Sequence, residues 1–427
     1  MKCRHLIAFI LMIPALATAQ SEGQILSLDE IYARVENSFP LMEKRDLQQK
    51  ISALNEQIVR SAFYPEIQLN ADASYQSEVT ELPISSPGFS APSLSKDHYS
   101  ASLDLSQSIY DGGSTKARRR LESDKNEAEN VSVSVSMWRV RSQVEAVFFG
   151  ILNLEKQQES VRILMEELED QLDLVRAKVD NGVLLPGNEK VLKAELLKAR
   201  QTDIRLQYQI QSSFKILSEL TGSDIEPDTR LIVPLVDLEQ HLKEPVKRPE
   251  LEMFKKRSEI LSLQQELTGT DRHPKISAFA KGAYGRPGFN VFEDELHTYW
   301  MVGVRARWSL KNWSNSGKKI EILELEKRKV KADESVFMIE LRSELAEIRD
   351  QIEQLKAQIN LDEEVLELRE QVAEEKKKQL EQGVITSTEY VTELNEEAKA
   401  RVNLEIRKLQ LVQKQIEYVT KKGISWN

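Results

Sequence analysis

YSASLDLSQSIYDGGSTKARRRLES, residues 99–123, changes its period partway along. Tyr99, Ala101, Leu103 and Leu105 alternate with Ser100, Ser102, Asp104 and Ser106, the two-residue repeat of a strand with one apolar face. Asp111-Gly112-Gly113 then supplies a flexible joint, and Ser114 to Asp180 reads as helix without a proline. At about 1.5 Å per residue that helix is roughly 100 Å long, far more than a globular core needs. A strand feeding such a rod implies a chain that crosses one environment as sheet and another as helix.

Upstream, Ser27 to Ala62 reads as helix, with Ser27 and Glu30 as a capping box and Leu47, Ile51, Leu54 and Ile58 at helical spacing. Pro65 ends it. Ile67, Leu69, Ala71, Ala73 and Tyr75 then alternate with polar residues for about ten positions, the length of a tilted membrane-crossing strand. Residues 77–97, rich in Pro and Ser, form a loop. Downstream, Leu164, Leu168, Val175 and Val179 keep a coiled-coil seam until Asn181-Gly182 breaks the rod. "VLLPG" (183–187) leads into a return helix from Asn188 to about Gly222, and residues 223–248 form a proline-punctuated linker.

From Pro249 the pattern restarts. A helix from Glu250 to Thr270 stops before Pro274, a strand runs from Ile276 to Tyr284, and a Gly/Pro loop follows. The return strand places Trp300, Val302, Val304, Ala306, Trp308 and Leu310 on one face. Asn315-Ser316-Gly317 then opens a second rod, with Ile348, Ile352, Leu355 and Ile359 along its seam, that ends at Gln382-Gly383. Gly113 to Gly182 spans 69 residues and Gly317 to Gly383 spans 66, while Gly182 to Gly222 and Gly383 to Gly423 are each 40 apart. The expected division is therefore a first repeat at 20–222, a linker at 223–248 and a second repeat at 249–427.

Residues 1–19 read as a signal peptide: Lys2 and Arg4 precede an apolar run, and Ala17-Thr18-Ala19 is a small-x-small cleavage site. Removing it leaves 57 basic against 69 acidic residues, a balance of −12 that excludes a nucleic-acid binder. The one cysteine, Cys3, lies inside this segment, so the mature chain has no expected disulfide or thiolate metal site. No later stretch reaches eighteen consecutive apolar residues, so a membrane would have to be crossed by strands. His98, His241, His273 and His297 show no ligand spacing, and "NSGKK" (315–319) lacks the glycine and hydroxyl that a phosphate loop requires. No cofactor, metal or catalytic residue is expected, and the chain is not read as an enzyme.

Strands in lipid must close into a barrel, and four are too few, the smallest membrane barrels having about eight. The chain must then oligomerise: two copies give a filled eight-stranded barrel and three an open twelve-stranded one. Asp72, Asp104, Lys281, Arg305 and Arg307 stand on the polar strand face and suit a water-filled lumen. Tyr75, Tyr99, Tyr284, Trp300 and Trp308 suit interfacial girdles on the other face. The competing reading is a periplasmic coiled-coil adaptor or structural protein without a pore. Two complete units with ten-residue amphipathic strands count against it.

In its paired organisation, in Phe63-Tyr64-Pro65-Glu66-Ile67, in "SIYDGG" (108–113) and in the turns "DNGVLLPGNEKV" (180–191) and "EQGVITSTEYV" (381–391), the chain resembles the outer-membrane efflux protein (TolC) family. The resemblance covers essentially the whole mature chain. It implies a mainly α fold with a membrane β-barrel part: a homotrimer whose twelve-stranded barrel continues into a twelve-helix tunnel, set in outer-membrane lipid with a long periplasmic part. It implies a passive exit duct of a tripartite efflux or type I secretion system, docked onto a periplasmic adaptor (membrane fusion) protein and an energised inner-membrane transporter. The family's periplasmic gate carboxylates lie six and nine residues after the second tip glycine, which here are Glu389 and Thr392, with Glu393 adjacent. Gly182-Val183 and Gly383-Val384 are the expected adaptor-docking tips, and the same residues also suit a helix C-cap with a small apolar turn.

Overall fold

The structure, a computed structural model, describes residues 24–79, 95–290 and 293–424. The expected signal segment with Cys3, and most of the loop at 77–97, lie outside the described residues. In chain order the elements are β1 (Ile25–Leu26), α1 (Leu28–Ser38), α2 (Pro40–Ser61), β2 (Glu66–Tyr75), β3 (Asp97–Tyr110), α3 (Ser114–Asp180) and α4 (Pro186–Thr221). There follow β4 (Arg230–Leu231), α5 (Leu238–Leu242), α6 (Pro249–Gly269), a 3-10 turn at Thr270–Arg272, β5 (Lys275–Arg286), β6 (His297–Arg307), α7 (Leu310–Glu381) and α8 (Ser387–Lys422). The described residues form two compact units, each drawing on both halves of the sequence.

One unit comprises Phe39–Val140, Asp237–Gln351 and the residues from Ile416 onward. Its sheet has the order β2-β3-β5-β6, antiparallel throughout. The helices below follow the same order, as their cross-helix contacts show. Lys44–Glu129 at 2.7 Å and Arg119–Glu56 at 2.9 Å join α2 to α3; Lys256–Glu127 at 2.6 Å and Arg120–Glu266 at 3.1 Å join α3 to α6. Gln265 Nε2 donates to Glu324 Oε2 of α7 at 3.3 Å. The joint between β3 and α3 requires its glycine: Gly112 has φ +72°, and a Cβ there would lie 2.9 Å from that of His273. Asp111 braces the joint by accepting from the backbone N–H groups of Gly113 at 2.9 Å and Thr115 at 2.6 Å.

The other unit comprises the described residues up to Ser38, Arg141–Val236 and Ile352–Gln415. Here the ends of α3 and α7 pair with α4 and α8 as two helical hairpins. Leu168, Leu172 and Val175 of α3, Leu192 and Leu196 of α4, Leu380 of α7 and Tyr390 and Leu394 of α8 share one core. Each fully buried leucine contributes about 1.5–3 kcal/mol. Helix α1 buries Leu28, Ile31, Tyr32 and Val35, and β1 pairs in parallel with β4 of the linker.

Three element boundaries differ from the sequence reading. Strand β6 ends at Arg307, so Trp308 and Leu310, expected on its apolar face, lie outside the strand, with Trp308 Nε1 donating to Arg272 O at 3.2 Å and Leu310 opening α7. The expected helix 27–62 is two helices, because Phe39 is extended (φ −69°, ψ 136°) ahead of Pro40, as the residue before proline is disfavoured in the α region. The second rod starts at Leu310, not after Gly317. Ser309 caps it: its Oγ accepts from Asn312 N at 3.3 Å and its carbonyl from Trp313 N at 3.0 Å. The capping box at Ser27 and Glu30 is present, with Ser27 N donating to Glu30 Oε2 at 2.8 Å and Glu30 N to Ser27 Oγ at 3.3 Å.

Candidate channel faces and helical tips

The β2-β3-β5-β6 sheet sorts its residues by face as the period of two demands. Leu69, Trp300 and Val304 stand on one face and are about 70–80% exposed (80%, 72% and 68%). A soluble protein does not leave such an area bare, and lipid is the solvent that suits it.

The opposite face carries the charges. Asp104 lies opposite Lys281, with Nζ 3.9 Å from Oδ1, and also accepts from Asn70 Nδ2 at 2.7 Å and Ser102 Oγ at 2.8 Å. Asp72 lies opposite Ser100, apart from that cluster. Arg305 lies opposite Ser277 and Arg307 opposite Lys275. Asp104 and Lys281 are thus brought together, Arg305 and Arg307 form a second group with Lys275, and Asp72 joins neither. Lys275 was not singled out in the sequence, where it sits at a strand start beside Pro274. Only the register reveals it.

At the tips, Gly182 (φ +73°) and Gly383 (φ +72°) end α3 and α7 in the left-handed region. Val183 N donates to Lys178 O at 2.8 Å and Val384 N to Gln379 O at 2.9 Å, closing both helix ends in the same way. Val183 and Val384 are exposed, so the cap geometry and a free apolar tip coexist. The turns are tied together: Ser387 N donates to Asn188 Oδ1 at 2.9 Å, and Lys178 Nζ to Glu381 O at 2.5 Å.

Glu389 sits in the first turn of α8, exposed, where Thr386 caps it: Glu389 N donates to Thr386 Oγ1 at 3.4 Å, and Thr386 Oγ1 donates to Glu389 Oε1 at 3.3 Å. Thr392, three residues on and exposed, bonds back to Thr388 O at 2.9 Å. Glu393 is engaged elsewhere, accepting from Arg369 Nη1 at 2.8 Å.

One network joins the two hairpins and left no mark in the sequence. Glu167 of α3 accepts from Lys377 Nζ of α7 and from Tyr390 OH of α8, each at 2.8 Å. Burial pushes the Glu167 carboxyl up, but the bonds from Lys377 and Tyr390 outweigh it and hold the group below its ordinary value. Burial, and then the carboxylate itself, push the Tyr390 phenol up. Residues 167, 377 and 390 have no sequence spacing to betray them. Among the described residues no group of three His, Cys, Asp or Glu is placed to hold a metal, and no helix is long and apolar enough to cross a membrane.

A four-stranded antiparallel sheet with one apolar face, and long helices that pair as hairpins, are features shared with solved outer-membrane channel proteins. VceC from Vibrio cholerae has it, at 14% identity and TM-score 0.68, covering 94% of this chain and 97% of that one. So do the outer-membrane channel OprN (12%, TM-score 0.70, 93% and 90%) and the Campylobacter jejuni CmeC outer membrane channel (13%, TM-score 0.66, 93% and 85%). At these identities the likeness establishes the fold. No curated protein sequence matches. Residues 40–223 match the outer membrane efflux protein family, a likeness confined to that segment. The segment match and the shared fold both favour an outer-membrane channel over the adaptor reading.

Proposed function

We infer that three copies of the chain assemble into a passive exit duct: a twelve-stranded barrel over a twelve-helix tunnel, built from the repeats 20–222 and 249–427 about the linker 223–248. The observation that carries this is the pair of open sheet edges. In β2-β3-β5-β6 both β2 and β6 lack an outer neighbour among the described residues, yet the face between them is apolar. In lipid an unpaired edge costs several kcal/mol per group, so the edges must close on other copies. Four strands per chain and a polar inner face fit three copies, which leave a wet lumen lined by Asp72, Asp104, Lys281, Arg305 and Arg307.

The helical end is where the duct meets its partners. The exposed Val183 and Val384 beside Gly182 and Gly383 offer apolar tips to a periplasmic adaptor, and an inner-membrane transporter supplies the energy for efflux or type I secretion. Glu389 and Thr392 are on one exposed side of α8, one helical turn apart. Three copies of Glu389 around an axis would repel one another and attract cations, which suits a closed periplasmic gate.

The test is the mass of the detergent-purified protein and its conductance in planar bilayers. A trimer with small conductance that rises in Glu389→Ala, with weaker block by divalent cations on the tip side, is expected. A stable monomer, or a folded inserted protein that passes no current in either form, would refute the duct.

A further inference from the structure

Three cations occupy one face of the last two rungs at the helix end of the sheet. Lys275 is directly opposite Arg307, and Arg305 is opposite Ser277 on the same face. Like charges directly opposite one another destabilise an antiparallel pair. Among the described residues the ion pair on this face is Asp104–Lys281, farther up the sheet, and the three cations have no carboxylate partner. Glu66 shares the face but stands two strands from Lys275 and three from Arg305 and Arg307, its carboxylate accepting from Gln68 Nε2 at 2.8 Å.

The surroundings of these charges are shaped. Phe279 lies opposite Gly303, and a Cβ at Gly303 would come within 2.9 Å of the ring, so a glycine there lets the ring lie down across β6. The Arg305 guanidinium sits over that ring, 4.9 Å from its centroid. The result is an aromatic ledge with one cation held on it and two more at its end.

We propose that this ledge selects anionic cargo: solutes with a carboxylate, phosphate or sulfonate group that Lys275, Arg305 and Arg307 attract, and an apolar body that lies on Phe279. The proposal rests on the duct reading for its placement in the lumen. It supplies what the cross-strand like-charge pair lacks, a counter-charge, and it makes the transported anion that counter-charge. The chain is acidic overall, with 69 acidic against 59 basic residues, so a local cluster of cations is where an anion would be held.

Two measurements on the full-length protein test it. In planar bilayers under a potassium chloride gradient, the wild-type reversal potential should lie on the chloride side and shift toward potassium in Lys275→Gln, Arg305→Gln and Arg307→Gln. Phe279→Leu should keep the reversal potential but lose block by 1-naphthalenesulfonate. In detergent, sodium sulfate should raise the unfolding temperature more than sodium chloride at equal ionic strength, and the Lys275→Gln/Arg307→Gln variant should lose that difference. Unchanged reversal potentials overturn the proposal. So does loss of oligomer in these variants, matched by Glu66→Gln, which would make the cations partners of Glu66 across a seam between copies. The sulfate measurement needs no ion passage, so a protein that fails to conduct would refute the duct while this arm still decides the ledge.

Discussion

Glu167 is the residue whose removal should loosen the two hairpins from each other. Its carboxylate takes two bonds of 2.8 Å, from Lys377 and from Tyr390. Glu167→Gln keeps an acceptor for Tyr390 but gives up the charge, a loss of about 1–2 kcal/mol. Glu167→Ala also strands the Tyr390 hydroxyl in a residue that is 1% exposed, adding about 1–3 kcal/mol for an unsatisfied buried group. Lys377 keeps 29% of its side chain in water, so its rehydration limits the total to roughly 3 kcal/mol. The sign with pH follows from the shifts. Glu167 is held below its ordinary value of 4.5, so its contribution is complete above that value and is lost as pH falls through the lower folded one. Lys377 is raised, chiefly by the hydrogen bond to Glu167, so its contribution is complete below the ordinary lysine range and is lost as pH rises through the raised value. Native-state hydrogen exchange at amides 391–397 reads this opening locally, where a single global unfolding energy is not defined for a protein held in detergent. Opening energies for Glu167→Ala within about 0.5 kcal/mol of wild type, or no coupling with Tyr390→Phe in a double-mutant cycle, would refute the reasoning.

Other substitutions test other parts of the fold. Leu69→Arg, on the exposed apolar face, should cost about 2–4 kcal/mol of barrel stability, while Asn70→Arg on the opposite face should cost little; the yield of folded, heat-modifiable protein in outer membranes checks the contrast. Gly383→Ala forces a side chain into φ +72° with no close neighbour to blame, so a loss of about 1–2 kcal/mol by exchange at the tip would be purely conformational. Phe148→Ala removes a fully buried ring packed edge-to-face on Phe149 and should cost about 3–5 kcal/mol, seen as lower thermal stability.

The parts of the chain legible in sequence are those where solvent acts on every residue of an element. Strand alternation at Ile67–Tyr75 and Trp300–Ala306 was plain because lipid selects each second side chain, and the rods because their seams repeat over tens of residues. The joints at Gly112, Gly182 and Gly383 were legible because only glycine takes those angles at no cost. What could not be read depends on register or on tertiary approach. The Lys275–Arg307 pair appears only once β5 is set against β6, and Glu167 meets Lys377 and Tyr390 across more than 200 residues of chain. Two local signals do stand in the sequence: Pro40, which divides the first helix, and Ser309, which caps the second rod ahead of its glycine.

In the assembly proposed above, neighbouring copies would complete the edges of the sheet-bearing unit. Helix α2 has no buried residue and exposes Leu47, Ile51, Leu54 and Ile58, while α7, at the far end of the row, exposes Ile322, Leu325, Val336 and Ile339. These stripes continue the open edges of β2 and β6, so a neighbouring copy that pairs β6 with β2 sets α7 against α2. Covering each half-exposed aliphatic is worth about 1 kcal/mol, so the eight together offer roughly 8 kcal/mol per interface before ordering costs. Helix α2 is held within its own chain mainly by exposed ion pairs such as Lys44–Glu129 and Arg119–Glu56, each worth under about 1 kcal/mol. Chains dissociated by harsher detergent should therefore lose exchange protection along 40–61 while 168–175, inside the hairpin core, stays protected. Equal protection of both segments in the separated chain would mean that α2 is stable alone and that its stripe is not an interface.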